Sequence, residues 1–415
     1  MGVYAPLDHI LTSNSLILPP ADLPLDNILP DEPLLLMGAG PVPVSQKVAS
    51  ANSVVINHLG ETMNQVIERV RLMAQYVFQT RSQHILGVAG PGSAAMEMAI
   101  TNLVWPGRKV LCINNGFFSA RLAEMATRVG GEVTLHTLPE GQGADAVQVE
   151  KLLAEGNFDV ITLVQGETSN TVWNDQLAQI TQLARQHGVL SIVDAVCTLS
   201  TMPLNMDEWQ VDVVITGGQK GLASIPGVSL IAFSEHVWPE IVNRSAPMPH
   251  WCLDARLALQ FWEEKGYHYT APVSGILALH EALRQVCLET LDKRFERHLV
   301  CSQALQAAIE SMGLQLFVAP QSRLNSVVGI SLPSGVDGQK VLSTMSNLYK
   351  VEISGSFGLP IVRIGQMGEQ SRAHNLYRTL HAFGMSLKSN GAQIDLPAGM
   401  SSLERELDVK EALTA

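Results

Sequence analysis

From about residue 40 to 275, short apolar runs alternate with amphipathic stretches, and Gly, Pro, Asn or Asp punctuates the joins. Ser93 to Val104 reads as a helix and Lys109 to Ile113 as a strand. Ser119 to Val129 reads as a helix that stops at Gly130-Gly131, and Glu132 to Leu138 as the next strand. Val160 to Val164 is a strand, and Asp175 to His187 is a helix with Gly188 as its stop signal. Strands at 189–193, 211–215 and 228–233 follow. Helix and strand in alternation predict an α/β fold, a large domain with a mostly parallel sheet flanked by helices. Beyond about 276 the rhythm changes to one long helix, Ile276 to about Ile309, then short strands near 327–332 and 351–354. A strand from Ile361 to Ile364 and a helix over 371–388 complete a smaller C-terminal α+β domain.

The pattern divides the chain into an arm (1–35), a large domain (36–275), a small domain (276–390) and a polar tail (391–415). The arm is apolar and broken by Pro19, Pro20, Pro24, Pro30 and Pro33, so it either covers a partner subunit or hangs free. The charge-rich stretch 402–412 reads as a solvated helix or disorder.

Composition narrows the function. A chain of 415 residues with 46% hydrophobic and 16% charged residues has material for two cores. Its net charge of −12 argues against nucleic acid or an anionic membrane as partner. Small anionic substrates would need local arginines to overcome that field. The five cysteines are scattered and never spaced as CxxC, which points to a reducing, cytoplasmic compartment. No lysine or arginine precedes Lys47, so neither a secretory signal nor a transit peptide is expected, and no uncharged apolar stretch free of Gly or Pro is long enough to span a bilayer. HExxH, GxxxxGK[ST] and GxSxG are all absent, so no metal site is expected.

The chemistry concentrates at strand ends. The apolar run 211–215 leads through Thr216-Gly217-Gly218-Gln219 to Lys220, and the run 189–193 leads to Asp194. Taken singly, these read as a surface lysine and a helix cap. At the carboxyl ends of neighbouring parallel strands, a carboxylate and an amine meet where open α/β sheets bind ligands. That pairing suits pyridoxal phosphate, which needs a Schiff-base lysine and an anion at its pyridine nitrogen. Gly90-Pro91-Gly92-Ser93-Ala94-Ala95 opens a helix and reads as a phosphate site, a dinucleotide G-x-G-x-x-A or a plain tight turn. The dinucleotide reading wants an acid at the end of the next strand, where this chain has Asn114-Asn115. Thr168 follows a strand and either bonds a ligand or closes a turn. Arg363 lies inside an apolar strand and must pair with an internal carboxylate or with a substrate's.

Several segments in this order resemble the class V aminotransferases of the fold type I pyridoxal-phosphate enzymes, in the alanine–glyoxylate and serine–pyruvate branch. They are Gly40-Pro41-Val42-Pro43, 76–81, 92–97, 166–169, 193–196, 218–220, 267–272 and Arg363-Ile364-Gly365. The resemblance implies that Lys220 forms the Schiff base, Asp194 partners the pyridinium and Thr168 reaches the phenolic oxygen. It implies that Gly92, Ser93, Ala94 and Gln219 hold the phosphate, joined by Tyr267 and Thr270 of the neighbouring subunit in a homodimer. Phe118 and Val196 would sandwich the ring, and Arg363 would clamp the substrate carboxylate. The implied reaction moves an amino group from a small amino acid, alanine or serine, to a small 2-oxo acid, glyoxylate or pyruvate. Phe118 stands where the family often has Trp, and Thr168-Ser169-Asn170-Thr171 replaces its Ser-Ser-Thr-Gly. Gln165 stands where His is common. The ureidoglycine–glyoxylate branch typically has Asn at the place of Tyr267. A desulfurase-like lyase needs a late cysteine, and none follows Cys301.

Overall fold

The computed structural model describes residues 21, 22 and 24–414. Most of the expected arm, residues 1–20 and 23, lies outside the described residues, and Leu25–Asn27 forms a single 3-10 turn.

The first core is built on a sheet of seven strands: β1 (Ile85–Ala89), β2 (Lys109–Asn114), β3 (Glu132–Thr137), β4 (Val160–Val164), β5 (Leu190–Asp194), β6 (Val213–Gly217) and β7 (Val228–Phe233). Their spatial order is β1-β7-β6-β5-β4-β2-β3. Only β7 runs against the others. The central strands β4, β5 and β6 are buried along their whole length. Their continuous Val, Ile and Leu runs follow from helices on both faces, which leave no side for polar alternation. The helices are α1 (Gln46–Asn52), α2 (Glu61–Phe78), α3 (Gly92–Leu103), α4 (Phe117–Arg128), α5 (Ala146–Glu155), α6 (Leu177–Gln186), α7 (Trp238–Val242), α8 (Ala255–Trp262) and α9 (Val273–Glu289). Helix α2 was not legible in the sequence, although its buried residues Met63, Ile67, Val70, Ala74 and Val77 follow a helical period.

The second core surrounds a four-stranded sheet, ordered β8 (Gln315–Leu316), β9 (Val327–Ser331), β11 (Ile361–Gly365) and β10 (Ser354–Gly355). It is covered by α10 (Leu291–Ser311), α11 (Gly338–Tyr349), α12 (Ala373–Ser389) and α13 (Leu396–Thr414). Three expectations change here. The single long helix expected over 276–309 is two helices, because Thr290 takes φ +70° and turns the chain between α9 and α10. The boundary expected at 276 falls inside the first core, which takes Ile276, Leu279, Leu283 and Val286 from α9. At the other end, Leu35–Leu36 pairs with Val351–Glu352 and Met37 is buried in the second core. The N-terminal strap therefore stitches onto the C-terminal sheet.

The polar tail is also corrected. Helix α13 packs on α10, with Leu403 fully buried and Leu407 nearly so. Leucines four apart make one apolar stripe, while Glu404 and Arg405 face solvent. Charge content alone hid that stripe. Among the described residues no helix is long and apolar enough to cross a membrane.

Leu403→Ala should lower unfolding stability by about 2–5 kcal/mol, the range for a fully buried leucine. Urea denaturation of the purified protein measures it, and a loss below about 0.5 kcal/mol, the scale of a surface change, would return the segment to a solvated tail.

Candidate active site

Strand β6 ends at Gly217, and Gly218-Gln219-Lys220 turns the chain into a crevice at the carboxyl ends of the parallel strands. Gly218 has no room for a side chain, since a Cβ would meet the Val228 and Ile225 carbonyl oxygens at 2.7 and 2.8 Å. Lys220 Nζ donates to the Ala39 carbonyl, and Val42 N–H donates to the Gln219 carbonyl at 3.1 Å. The strap 37–42 thus holds the lysine loop from above. Gly40, at φ +100°, passes so close that a Cβ would strike the Lys220 side chain. Burial pulls the Lys220 amine below its ordinary pKa; Arg363 adds to the effect and Asp194 opposes it.

Asp194 ends β5 on the next strand, buried, with Oδ1 accepting the Val196 N–H at 2.8 Å. Burial raises its carboxyl from 3.8 to about 6, and Glu167 pushes the same way, against the Val196 amide, Lys220 and Arg121. The fold thus keeps a carboxylate short of positive charge.

The crevice, about 640 Å³, is lined by Gly92, Ser93, Phe118, Thr168, Asp194, Val196, Gln219 and Lys220, so the structure gathers eight of the expected residues. Gly92 opens α3, and a Cβ there would meet Val196 at 2.8 Å. Ala94 does not line the crevice; its N–H bonds the Pro91 carbonyl at 2.8 Å. Tyr267 and Thr270 are exposed and stand outside this chain's crevice. Arg363 is 5% exposed and donates to the Thr168 carbonyl at 2.6 Å and the Gly355 carbonyl at 2.7 Å. Among the described residues no carboxylate pairs with it, which removes the internal-carboxylate alternative at ion-pair distance.

Two residues escaped the sequence reading. Glu167 is fully buried and accepts the Phe118 and Ser119 N–H groups at the start of α4, at 3.0 and 2.9 Å, and the Ser169 hydroxyl at 2.6 Å. It fixes the helix that presents Phe118. Arg121 lines the crevice and bonds Ser93 Oγ. It lies three positions after Phe118, which puts both on one helix face, and that spacing was the available signal. Cys197 also lines the wall, but burial pushes its thiol up to about 12, so it stays protonated. Among the described residues no cluster of His, Cys, Asp or Glu could hold a metal ion.

Comparison with known proteins agrees with this geometry: the family model described as aminotransferase class-V matches residues 44–371. The chain belongs to the class V aminotransferases. It is 33% identical to the alanine–glyoxylate aminotransferase of Oryctolagus cuniculus, over 85% of this chain and 92% of that protein. It is 29% identical to the L-aspartate–glyoxylate aminotransferase of Paracoccus denitrificans, over 90% of this chain and 95% of that protein. The solved ureidoglycine–glyoxylate aminotransferase of Bacillus subtilis superposes with a TM-score of 0.89 at 28% identity, covering 92% of this chain and 99% of that one. This class V aminotransferase has the fold type I architecture and uses pyridoxal phosphate.

The residues present fit that cofactor. A buried carboxylate with a single amide donor suits a protonated ring nitrogen, and a desolvated amine stands beside it. Helix α3 begins at the same crevice, where the free N–H groups of its first turn suit a phosphate.

The raised Asp194 carboxyl makes a stability prediction. Such a group binds its proton more readily in the folded chain than in the unfolded one. The fold is favoured at low pH and loses that advantage as the pH rises from 3.8 through about 6. The gap corresponds to roughly 3 kcal/mol above pH 6. Cofactor-free Asp194→Asn should therefore melt higher than cofactor-free wild type near pH 8 (about two pH units above the carboxyl's raised value), the difference closing below about pH 4. Calorimetry across that range decides it, and a difference independent of pH would mean that Asp194 is not the titrating group.

Proposed function

We propose that this aminotransferase takes its amino group from a small neutral amino acid, alanine or serine, and gives it to a small 2-oxo acid, glyoxylate or pyruvate. The observation that carries this reading is Arg363: a desolvated guanidinium whose described partners are backbone carbonyls and not carboxylates. One planar fork with no carboxylate at ion-pair distance among the described residues, only the more distant Glu167, suits one α-carboxylate. The named relatives differ in donor (alanine, aspartate, ureidoglycine), but each is named for glyoxylate. That supports glyoxylate as acceptor here and leaves the donor to the pocket. Tyr267 in place of the ureidoglycine branch's Asn counts against that donor.

Bound pyridoxal phosphate supplies an electron sink that makes the donor's Cα–H acidic. The chain's residues do the rest. Asp194 would hold a proton at the ring nitrogen, and Phe118 and Val196, which line the same crevice, would hold the ring. Lys220 Nζ, whose affinity for a proton burial lowers, would be the base that takes the Cα proton. Arg363 fixes the carboxylate and so aims that Cα–H at the lysine.

We place Tyr267 and Thr270 in the neighbouring subunit's site of a homodimer; their exposure, away from their own crevice, supports this. No disulfide joins any of the described cysteines, which supports a reducing, cytoplasmic setting.

Lys220→Ala should retain the cofactor and lose turnover by several orders of magnitude. Arg363→Lys keeps the charge but loses the fork, and should lower kcat/KM for every α-amino acid on the order of a hundredfold. With glyoxylate as acceptor, alanine or serine should lead aspartate and glutamate in kcat/KM. Aspartate ahead by about tenfold, 1.4 kcal/mol in the transition state, would mean that a second cation serves the donor.

Thr270→Ala should speed cofactor loss on dialysis while leaving the sedimentation coefficient that of a dimer. A fully active monomer would remove the shared-site reading.

A further inference from the structure

We propose that Arg121 is the cation of the phosphate site, acting on the cofactor's phosphate by its charge and through the Ser93 hydroxyl. This rests on the crevice being the pyridoxal phosphate site. The resemblance assigns the phosphate only neutral groups: Gly92, Ser93, Ala94 and Gln219 in this chain, with Tyr267 and Thr270 from its neighbour. A phosphate monoester is close to dianionic near neutrality, and the chain around it carries a net charge of −12. Neutral donors alone leave that charge uncompensated.

Arg121 has what the site lacks. Helix α4 carries it one turn beyond Phe118, and its guanidinium folds back over the Phe117 and Phe118 rings, 5.1 and 4.9 Å from their centroids. These cation–π contacts leave N–H groups of the guanidinium available to other partners. One N–H reaches Ser93 Oγ at 2.7 Å. Among the described residues no carboxylate pairs with Arg121, whereas Arg294 and Arg297 share Glu289 and Arg185 holds Asp212. A half-buried guanidinium with no carboxylate at ion-pair distance among the described residues, set into a ligand crevice and feeling only the more distant Asp194, calls for an anion from the ligand.

Ser93 shows which anion. It is the second residue of α3, where the helix presents its positive end and its free N–H groups. Its oxygen accepts from Arg121, so its own O–H proton is left to donate to a phosphate oxygen. The guanidinium polarises that hydroxyl and adds a full positive charge to the helix end. Arg363, by contrast, is anchored on Thr168 and Gly355. The two arginines use separate partners, one set for the cofactor and one for the substrate carboxylate.

The test compares pyridoxal phosphate with pyridoxal, which lacks the phosphate, in titrations of cofactor-free protein followed by visible absorbance. Arg121→Gln should weaken pyridoxal phosphate binding on the order of thirtyfold, the scale of one charge-assisted hydrogen bond. Pyridoxal binding should change by less than about twofold, within the scatter of a surface change. Arg121→Lys should recover most of the loss, and Ser93→Ala combined with Arg121→Gln should cost less than the two single losses together. Equal losses for both ligands would overturn the proposal, since Arg121 would then only brace Phe118. Unchanged phosphate-ligand affinity with a raised KM for aspartate would overturn it too, assigning Arg121 to a donor's side-chain carboxylate. A wild-type chain that takes up neither ligand would instead sink the reading of the crevice.

Discussion

Two opposite charges held out of water, Asp194 and Lys220, set the terms for the rest of the molecule. Each comes from the end of a central strand, and β5 and β6 are neighbours in the sheet. Desolvation pushes both toward neutrality, the carboxyl upward and the amine downward. A group that changes protonation readily can move protons; a group starved of positive charge binds a protonated nitrogen. The same burial thus prepares both halves of the chemistry. It also makes the ligand-free fold electrostatically dissatisfied, and cofactor binding relieves that.

Keeping such a pair in place requires support from distant parts of the chain. The strap 37–42 follows Leu35–Leu36, which pair with Val351–Glu352 of the second core, and it places the Ala39 carbonyl on Lys220 Nζ. From the other side, Gly221, next to the lysine, has its carbonyl bonded by Ser200 Oγ and by Arg294 Nη2, both at 2.8 Å. Arg294 belongs to the first turns of α10 and is paired with Glu289 at the end of α9. The bend at Thr290 is therefore what lets a buried guanidinium reach the lysine loop. Arg363, from β11, ties the second sheet to Thr168, in the turn that follows β4. The site is assembled where the two cores meet.

Aromatic groups gather at the mouth. Phe357, in the turn between β10 and β11, stacks on Phe117 at 4.3 Å between centroids, and the Arg363 guanidinium sits 5.5 Å from its ring. Ser356, beside it, bonds the Ser169 carbonyl. These contacts surround Phe118 of the crevice, and none was visible in the local pattern, because residues 117 and 357 meet only through the tertiary fold.

The strand runs, the glycine turns and the lysine and aspartate at strand ends were legible because each is a local consequence of the chain. A strand buried on both faces must be apolar throughout, and a turn at 218 must be glycine because backbone oxygens crowd it. Lys220, Asp194 and Thr168 were read from those strand ends, whereas Phe118, Val196 and Gln219 came only from the family resemblance. What the chain by itself did not determine was set by contacts between residues far apart. Leucines on α13 are hidden only because α10 offers them a surface, and one helix became two at Thr290. Arg121 and Glu167 acquired partners from other elements, Ser93 and the start of α4. A charged side chain in an amphipathic helix looks the same in sequence whether it meets water or a neighbour. Packing alone decides which groups lose their water, and with it which charges are left for a ligand to satisfy.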